Sequence, residues 1–286
     1  MIPRPEWLKQ KAPNQEVFEE MGRMLESLSL HTVCESANCP NIGKCFENKT
    51  ATFMIMGDIC TRNCRFCAVP KGKAGPLDFE EPLNVAKACR QLKLKHVVIT
   101  SVTRDDLEDG GAECFSRTVQ ATRLLNTDST IELLIPDLCG NWSALAEIVA
   151  AKPNIINHNV ETVPELYGKV RPQAEYGRSL ELLRRVKEID GQIYTKSGLM
   201  LGLGETVEQI IRVMRDLLLA GCDILTLGQY LRPSEEHIPI FEYVTPKKFD
   251  GLRDIALDMG FKYVASGPFV RSSYNAFIAM EELKKG

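Results

Sequence analysis

The hydrophobic and polar positions of this chain follow two alternating patterns from residue 51 almost to the C-terminal end. Short runs of apolar and β-branched residues predict strands. The segments between them repeat apolar residues every three or four positions, which predicts amphipathic helices. The predicted strands are 51–57, His96–Ser101, Thr130–Ile135, Ile155–Val160, Ile193–Leu201, Ile224–Gly228 and, as a short seventh, Tyr263–Ser266. The predicted helices are Pro82–Leu92, Glu113–Asn126, Trp142–Ala151, Arg178–Ile189, Thr206–Ala220 and Pro246–Met259.

Strands that alternate with helices in this way predict a parallel sheet with crossover helices. Six strong strand–helix units are fewer than the eight of a complete barrel. We therefore expect an α/β fold, a partial (β/α)6 TIM-like barrel, over residues 51–266. An N-terminal extension, residues 1–50, precedes the barrel, and a C-terminal segment, residues 267–286, follows it. In the extension, one amphipathic helix is predicted by apolar residues at helical spacing: Val17, Met21, Met24, Leu25 and Leu28.

Composition narrows the classes of partner. The 286 residues are 44% hydrophobic, enough for one large core. A formal net charge of -3 gives no basic surface for a phosphate backbone, so we expect no nucleic-acid partner. The sequence has no run of about 18 apolar residues and begins without the apolar segment of a signal peptide. We expect a cytoplasmic protein that is not embedded in a membrane.

Six of the ten cysteines lie in two triplets. The first triplet is Cys34, Cys39 and Cys45. The second triplet follows the first predicted strand and is Cys60, Cys64 and Cys67. A zinc site usually combines a CxxC pair with a second pair, and none lies nearby. An all-cysteine 4Fe-4S cluster needs four thiolates, so three at this spacing can hold three irons and leave the fourth open to a substrate or cofactor. The alternative is a chance set of structural or zinc-binding cysteines.

The segment around the second triplet, GDICTRNCRFC at residues 57–67, resembles the radical S-adenosylmethionine (SAM) superfamily. An aromatic residue before the last cysteine belongs to that pattern, and Phe66 supplies it. In the superfamily, the amino and carboxylate groups of SAM chelate the open iron. The resemblance therefore implies a 4Fe-4S cluster on the second triplet, with SAM bound beside it and Phe66 in the cofactor site.

Two further segments resemble motifs of the lipoyl synthases, and the resemblance extends through essentially the whole chain. They are CESANCPNIGKC at residues 34–45 and RSSYNA at residues 271–276. This resemblance implies a second, auxiliary 4Fe-4S cluster held by the first triplet together with Ser272. Ser273 is the neighbouring alternative. It also implies that the C-terminal segment closes over the auxiliary cluster of the N-terminal extension.

Polar residues collect after the predicted strands, where barrels place their active sites. Thr103 follows the second predicted strand, at the position of the superfamily segment that meets the methionyl amino group of SAM. The usual double glycine and glutamate of that segment are absent here. Thr103 and the nearby Asp105 are therefore either SAM contacts or part of a solvated loop.

Asn159 and Glu161 lie two residues apart, on the same face of an extended segment. The resemblance makes them candidates for the amino group and ribose hydroxyls of SAM. It makes Arg171 a candidate for the carboxylate, which suits the fork of a guanidinium. Gly202 and Gly204 occur in GLMLGLGE, close to the GxIxGxxE pattern in which the superfamily backbone contacts the adenine.

The resemblance implies a sulfurtransferase reaction. An electron delivered to the Cys60/Cys64/Cys67 cluster would cleave SAM to a 5′-deoxyadenosyl radical, which removes hydrogen from C6 and then C8 of a protein-bound octanoyl-lysine. The auxiliary cluster would donate the two sulfur atoms of the lipoyl cofactor. The implied partners are octanoylated lipoyl carrier domains, of a 2-oxoacid dehydrogenase E2 subunit or a glycine cleavage H protein, and an electron donor such as ferredoxin or flavodoxin.

Two other functions are compatible with the cysteines. One is a radical SAM enzyme that inserts sulfur into a small molecule or into RNA, although the acidic balance of the chain argues against RNA. The other is a non-catalytic two-cluster electron carrier. Such a carrier would have four thiolates for each cluster and no need of segments that bind SAM.

Overall fold

The computed structural model of the chain describes residues 3–9, 15–36, 39, 41–42, 45, 52–273 and 276–283. Several predictions fall outside these residues: the side chain of Val17, the stretch 46–51 that includes the start of the first predicted strand, and Tyr274 and Asn275 of the C-terminal motif. In the described part, eight strands occur, and their order in the sheet is their order in the chain. The chain divides into two compact units, described in turn below.

Unit A comprises residues 11–62 and 68–156. Its strands are β1 (His31–Thr32), β2 (Thr52–Ile55), β3 (His96–Ser101) and β4 (Thr130–Leu134). Strand β1 is antiparallel to β2, whereas β2, β3 and β4 are parallel. The helices of unit A are α1 (Gln15–Ser27), α2 (Val33–Ser36), α3 (Glu81–Leu92), α4 (Ala112–Leu125) and α5 (Trp142–Ala150), with a 3-10 turn at Leu138–Gly140.

Unit B comprises residues 1–10, 63–67 and 157–286, and strand β5 (Ile155–Asn157) contains its boundary with unit A. Its strands β6 (Tyr194–Leu201), β7 (Ile224–Gln229) and β8 (Tyr263–Gly267) are parallel. Its helices are α6 (Tyr167–Val170), α7 (Tyr176–Ile189), α8 (Val207–Leu219), α9 (Pro246–Met259) and α10 (Ala276–Leu283). Its 3-10 turns are Glu6–Leu8 and Pro164–Leu166.

The predicted α/β fold is confirmed. Every residue of β2 and of β7 is buried, as in parallel sheets that are covered on both faces. Each predicted strand and helix is present with its bounds shifted by a few residues. Strand β1 was not predicted, because a two-residue strand is too short to carry a period. The short helices α2, α6 and α10 were not predicted either.

Local chemistry explains where the helices begin and end. The Thr206 hydroxyl accepts from the Gln209 amide, and the Gln209 side chain accepts from the Thr206 amide, a reciprocal capping box that starts α8. Gly221 follows this helix at φ 80°, a conformation in which glycine is favoured. No helix within the described ranges is long and apolar enough to cross a membrane.

Candidate active site

The second cysteine triplet begins in unit A, on the loop that leaves β2. The strand ends at Ile55 and is followed by Met56 and Gly57, which have φ angles of 69° and 90°. The buried Glu81 carboxylate of α3 accepts a hydrogen bond from the Met56 amide at 2.7 Å. Further along, the Cys60 amide donates to the Pro70 carbonyl at 2.8 Å and the Cys60 carbonyl accepts from the Gly72 amide at 3.0 Å. The backbone of this first cysteine is therefore fixed on both sides.

The sulfur of Cys60 accepts two backbone hydrogen bonds. The amides of Arg62 and Thr103 each lie 3.4 Å from Cys60 Sγ. The Thr103 carbonyl in turn accepts from the amide and the hydroxyl of Thr61, at 3.1 and 2.9 Å. Amide donors aimed at sulfur suit a thiolate, which carries negative charge, and hydrogen bonds to sulfur are a feature of iron–sulfur ligation. Thr103, predicted to contact SAM, thus lies against the first cysteine through its backbone.

The first triplet also lies in unit A. The Cys39 amide donates to the Cys34 carbonyl and the Cys45 amide to the Asn41 carbonyl, both at 2.9 Å. Burial, and to a lesser extent the neighbouring thiols Cys39 and Cys45, raise the pKa of Cys34 to about 12. The three sulfurs are therefore close enough to interact electrostatically. Among the described residues, no three His, Cys, Asp or Glu side chains are arranged closely enough to hold a metal ion.

The other two cysteines of the second triplet, Cys64 and Cys67, belong to the 63–67 segment of unit B. The Cys67 amide donates to the Cys64 carbonyl at 3.2 Å. Phe66 packs against a buried cluster of this unit, formed by Val170, Leu203, Tyr230 and Ile238. The ring of Phe66 therefore anchors its segment to the apolar core of the unit.

Backbone hydrogen bonds hold the same segment on both sides. The Arg65 amide donates to the Val170 carbonyl at 2.9 Å, and the Arg65 carbonyl accepts from the Ile238 amide at 3.1 Å. A ring nitrogen of His237 lies 3.1 Å from the Cys67 carbonyl oxygen. His237 therefore helps to hold the segment through a hydrogen bond to its backbone.

Three predicted SAM contacts meet in unit B. The Asn159 side-chain amide donates to the Glu161 carboxylate at 3.1 Å, and Arg171 Nη1 donates to the Asn159 carbonyl at 2.6 Å. The Arg171 guanidinium also lies over the Tyr167 ring, 5.3 Å from its centroid. Burial raises the pKa of Glu161, an effect that the positive charge of Arg171 opposes.

Two polar atoms of this group have no hydrogen-bond partner within the described structure. They are Asn159 Oδ1 and Arg171 Nε, both buried. A buried polar group without a partner is costly, so such atoms call for a ligand. An amide oxygen and a guanidinium N–H are an acceptor and a donor suited to the amino and carboxylate groups of an amino-acid moiety. The residues present therefore fit SAM.

Gly202 and Gly204 occupy the turn after β6, with φ angles of 97° and 114°. A β-carbon on Gly202 would lie 2.4 Å from both Gln229 Nε2 and the Glu242 carbonyl oxygen, so only glycine fits there. The turn is held by the buried Glu205 carboxylate, which accepts from the amides of Gly202 and Leu203 at 2.6 and 2.9 Å.

The C-terminal motif lies beside the end of β7 in unit B. Ser272 is half-buried, and the preceding Arg271 donates from Nη1 to the Val270 carbonyl at 2.7 Å. The charge of Arg271 opposes the burial that raises the pKa of Glu161, so this charge acts on one of the predicted SAM contacts. The Ser273 carbonyl accepts from the Ala276 amide, which begins α10.

Several supporting residues were missed by sequence reasoning. Glu81 holds the exit of β2, Arg62 is bound by two aspartates, and Gln229 hydrogen-bonds the carbonyls of Leu201, Tyr230 and Glu242. Apart from Tyr230, which adjoins Gln229, their partners lie 13 to 75 residues away in the sequence, so no local spacing signals them.

Comparison with known proteins places these observations in a family. The model of the radical SAM superfamily matches residues 54–217. A lipoyl synthase of Caldanaerobacter subterraneus subsp. tengcongensis is 57% identical over 98% of this chain and 98% of the relative. A lipoyl synthase of Rubrobacter xylanophilus is 52% identical over 99% of this chain and 88% of the relative. Streptococcus suis SuiB bound to S-adenosylmethionine is 14% identical, with a TM-score of 0.57 over 85% of this chain and 58% of SuiB. At that identity the likeness shows the fold alone.

Proposed function

We propose a reaction for this chain from one premise: the chain belongs to the lipoyl synthase family of the radical SAM superfamily. It is accordingly a sulfur-inserting radical SAM enzyme, whose cofactors are 4Fe-4S clusters and SAM. In the proposed reaction, two sulfur atoms are inserted at C6 and C8 of an octanoyl chain that is amide-linked to a lysine of a carrier protein. The single observation that carries the proposal is the 57% identity with a lipoyl synthase over nearly the whole of both chains.

We assign the two triplets to two clusters. Cys60, Cys64 and Cys67 would hold the cluster that binds SAM. The spacing of these residues in the sequence and the two amides on Cys60 Sγ support this assignment. The auxiliary cluster would be held by Cys34, Cys39, Cys45 and Ser272. The influence of the Cys39 and Cys45 thiols on the pKa of Cys34 supports it. In this proposal, residues 1–50, 51–266 and 267–286 act as the auxiliary-cluster segment, the SAM-binding core and the closing segment.

A serine oxygen is a hard ligand, poorly matched to an iron–sulfur cluster that prefers thiolates. Ser272 would therefore form the weakest bond of its set. In the proposed reaction this bond is the one released when sulfur leaves, which gives Ser272 a catalytic role.

The proposed SAM contacts divide into polar and backbone groups. Asn159 Oδ1 would accept from the SAM amino group, Glu161 would accept from the ribose hydroxyls, and Arg171 would bind the SAM carboxylate. Thr103 would border the methionyl end, and Gly202 and Gly204 would present backbone to the adenine. Phe66 would close the site from the cysteine segment. When bound, the clusters and SAM supply the electron, the 5′-deoxyadenosyl radical and the sulfur atoms; the chain supplies placement and the exclusion of water.

The partner is a lipoyl carrier protein. We propose the E2 subunit of a 2-oxoacid dehydrogenase or a glycine cleavage H protein as substrate, with ferredoxin or flavodoxin as electron donor. None of the ten cysteines forms a disulfide in the structure, which is usual in a reducing compartment, and we propose that the protein works in the cytoplasm.

Anaerobic reconstitution of the full chain tests the proposal. We expect about eight irons per chain, as two 4Fe-4S clusters require. With SAM, dithionite and an octanoylated carrier peptide, we expect 5′-deoxyadenosine and a peptide that gains two sulfur atoms by mass spectrometry. SAM cleavage without sulfur transfer would indicate a different radical SAM reaction. Bound clusters without SAM cleavage would indicate an electron carrier.

Paired serine variants test the auxiliary ligand. Ser272→Ala should cleave SAM but lose transfer of sulfur to the peptide, whereas Ser273→Ala should keep both activities. The reverse outcome would move the ligand to Ser273. Full lipoyl formation by both variants would remove the serine from the proposal.

A further inference from the structure

Arg62 lies two residues after Cys60 and is only 5% exposed. Its guanidinium binds one carboxylate through two hydrogen bonds: Nε and Nη2 donate to the two oxygens of Asp105 at 2.6 and 2.9 Å. Nη2 also donates to Asp137 Oδ1 at 2.5 Å. A buried guanidinium needs such partners, because an unpaired charge in the protein interior is strongly unfavourable. The three residues form an ionic network within unit A, called here the Arg62 network.

The Arg62 network connects three neighbouring strand exits. Arg62 follows β2, Asp105 follows β3, and the fully buried Asp137 follows β4. The Asp137 carboxylate also accepts from the Cys139 amide at 3.2 Å, which fixes the 3-10 turn after β4. One side chain therefore sets the relative positions of three loops at the edge of the sheet where the second triplet begins.

Cys139 is a further polar neighbour of the network. Its Sγ lies 3.2 Å from Arg62 Nη2 and 3.2 Å from Asp105 Oδ1. Burial and then the Asp105 carboxylate raise the pKa of this thiol, so it stays neutral.

The network is directly connected to the sulfur of Cys60. The Arg62 amide is one of the two donors to Cys60 Sγ, and the Thr103 amide is the other. The Thr61 hydroxyl connects the two loops, because it donates to the Thr103 carbonyl and accepts from the Asp105 amide. The side chain of Arg62 thus fixes the loop that supplies the first donor and, through Asp105, the loop that supplies the second.

We propose that Arg62, held by Asp105 and Asp137, is the positioning residue that keeps both backbone amides on Cys60 Sγ. This inference rests on the proposed role of Cys60 as a cluster ligand. Hydrogen bonds to cluster sulfurs favour the reduced form, which carries one more negative charge, and so raise the reduction potential. The Arg62 network therefore makes it easier to deliver an electron to the cluster that binds SAM.

Arg62→Lys tests the proposal, because lysine keeps the charge but not the fork of donors. In the reconstituted enzyme, we expect the EPR signal that responds to SAM to titrate at a lower potential than in the wild type. Peptides that contain the Arg62 and Thr103 amides should exchange hydrogen about tenfold faster. Arg184→Lys is the matched control, since Arg184 also binds carboxylates, those of Glu181 and Glu188, on the exposed face of α7. It should change neither readout.

A folded Arg62→Lys enzyme with wild-type potential and wild-type exchange would overturn the proposal. If that variant does not accumulate in folded form, Asp105→Asn decides by the same two readouts. A separate Cys60→Ala variant tests the ligand role through its iron content. Should Cys60 prove not to be a ligand, the proposed function fails at that point, while the exchange rates still decide whether Arg62 positions the two amides.

Discussion

Gly228 and Val270 approach so closely that a side chain cannot fit between them. A β-carbon on Gly228 would lie 2.1 Å from the Val270 carbonyl oxygen and 3.1 Å from its carbonyl carbon. Both atoms belong to the backbone, so no rotamer change can relieve the contact. Val270 directly precedes Arg271 and Ser272. The position of the proposed serine ligand therefore depends on the absence of a side chain at the end of β7.

Gly228→Ala should displace the 270–272 segment while leaving SAM cleavage intact. Forcing a methyl group against packed backbone costs about 1–3 kcal/mol, which should appear as a lower urea midpoint. We expect sulfur transfer to the carrier peptide to fall at least about tenfold, as in Ser272→Ala. The amounts of 5′-deoxyadenosine and of sulfur-bearing peptide are measured in the same reaction, because the first reports SAM cleavage and the second reports sulfur transfer.

Gly251→Ala is the matched control for this substitution. Gly251 lies inside α9, and a β-carbon there meets nothing within 4 Å. Alanine should leave both products unchanged and stabilise the helix slightly. Equal sulfur transfer by Gly228→Ala and Gly251→Ala would show that the close approach does not position Ser272.

Arg171→Lys should weaken SAM binding. Lysine keeps the positive charge but cannot replace two groups of the guanidinium. These are Nη1, which donates to the Asn159 carbonyl, and the Nε–H, which has no partner in the structure and is available to SAM. A hydrogen bond to a charged group contributes about 1.5–3 kcal/mol, which corresponds to about a 10- to 150-fold weaker Kd. Anaerobic calorimetry with SAM measures the Kd. Arg212→Lys, at an exposed residue paired with Glu165, should bind SAM as the wild type does, and equal Kd values for the two variants would argue against the Arg171 contact.

Local sequence patterns predicted the elements better than they predicted the supports of the site. The Thr206 cap and its Gln209 partner lie three residues apart, so the start of α8 could be read from the sequence. The partners of Arg62 lie 43 and 75 residues away, and only the fold brings them together. Asp105 illustrates the difference. The resemblance placed it in a segment that meets SAM, whereas the structure pairs its carboxylate with Arg62.

The candidate cysteines and SAM contacts came from motifs, which name residue types but not their surroundings. Asn159, Glu161 and Arg171 do lie together. A period of two predicted the first two, but β5 ends at Asn157 and Glu161 has a φ of 65°, so the backbone there is not a regular strand. Nothing in the sequence shows that a carbonyl of Val270 lies against Gly228. Such contacts depend on the packing of segments remote from each other in the chain.

The stability of the protein should decrease as pH rises through the titration of Glu81. Burial raises the pKa of this carboxyl to about 7, although the amides of Met56 and Gly57 oppose the shift. The folded state therefore favours the protonated form. At pH values below the pKa that Glu81 has in the unfolded chain, the group does not lower the free energy of unfolding. The penalty grows as pH rises from about 4.5 to about 7 and reaches about 3 kcal/mol.

Urea unfolding of wild type and Glu81→Gln at pH 5 and pH 8 measures this dependence. The wild type should lose more unfolding free energy between the two pH values than the variant, because glutamine does not ionise. Glu80→Gln, at the exposed neighbouring position, should keep the wild-type dependence. A Glu81→Gln protein with the full wild-type dependence would assign the effect to another group.

The proposal that the second triplet cleaves SAM and the first triplet donates sulfur is tested most directly by a pair of triple variants. One replaces Cys34, Cys39 and Cys45 by alanine, and the other replaces Cys60, Cys64 and Cys67. We predict about four irons in each after anaerobic reconstitution, 5′-deoxyadenosine from the first variant and none from the second, and sulfur-bearing peptide from neither. Sulfur transfer by the first variant, or SAM cleavage by the second, would contradict the assignment of separate tasks to the two clusters.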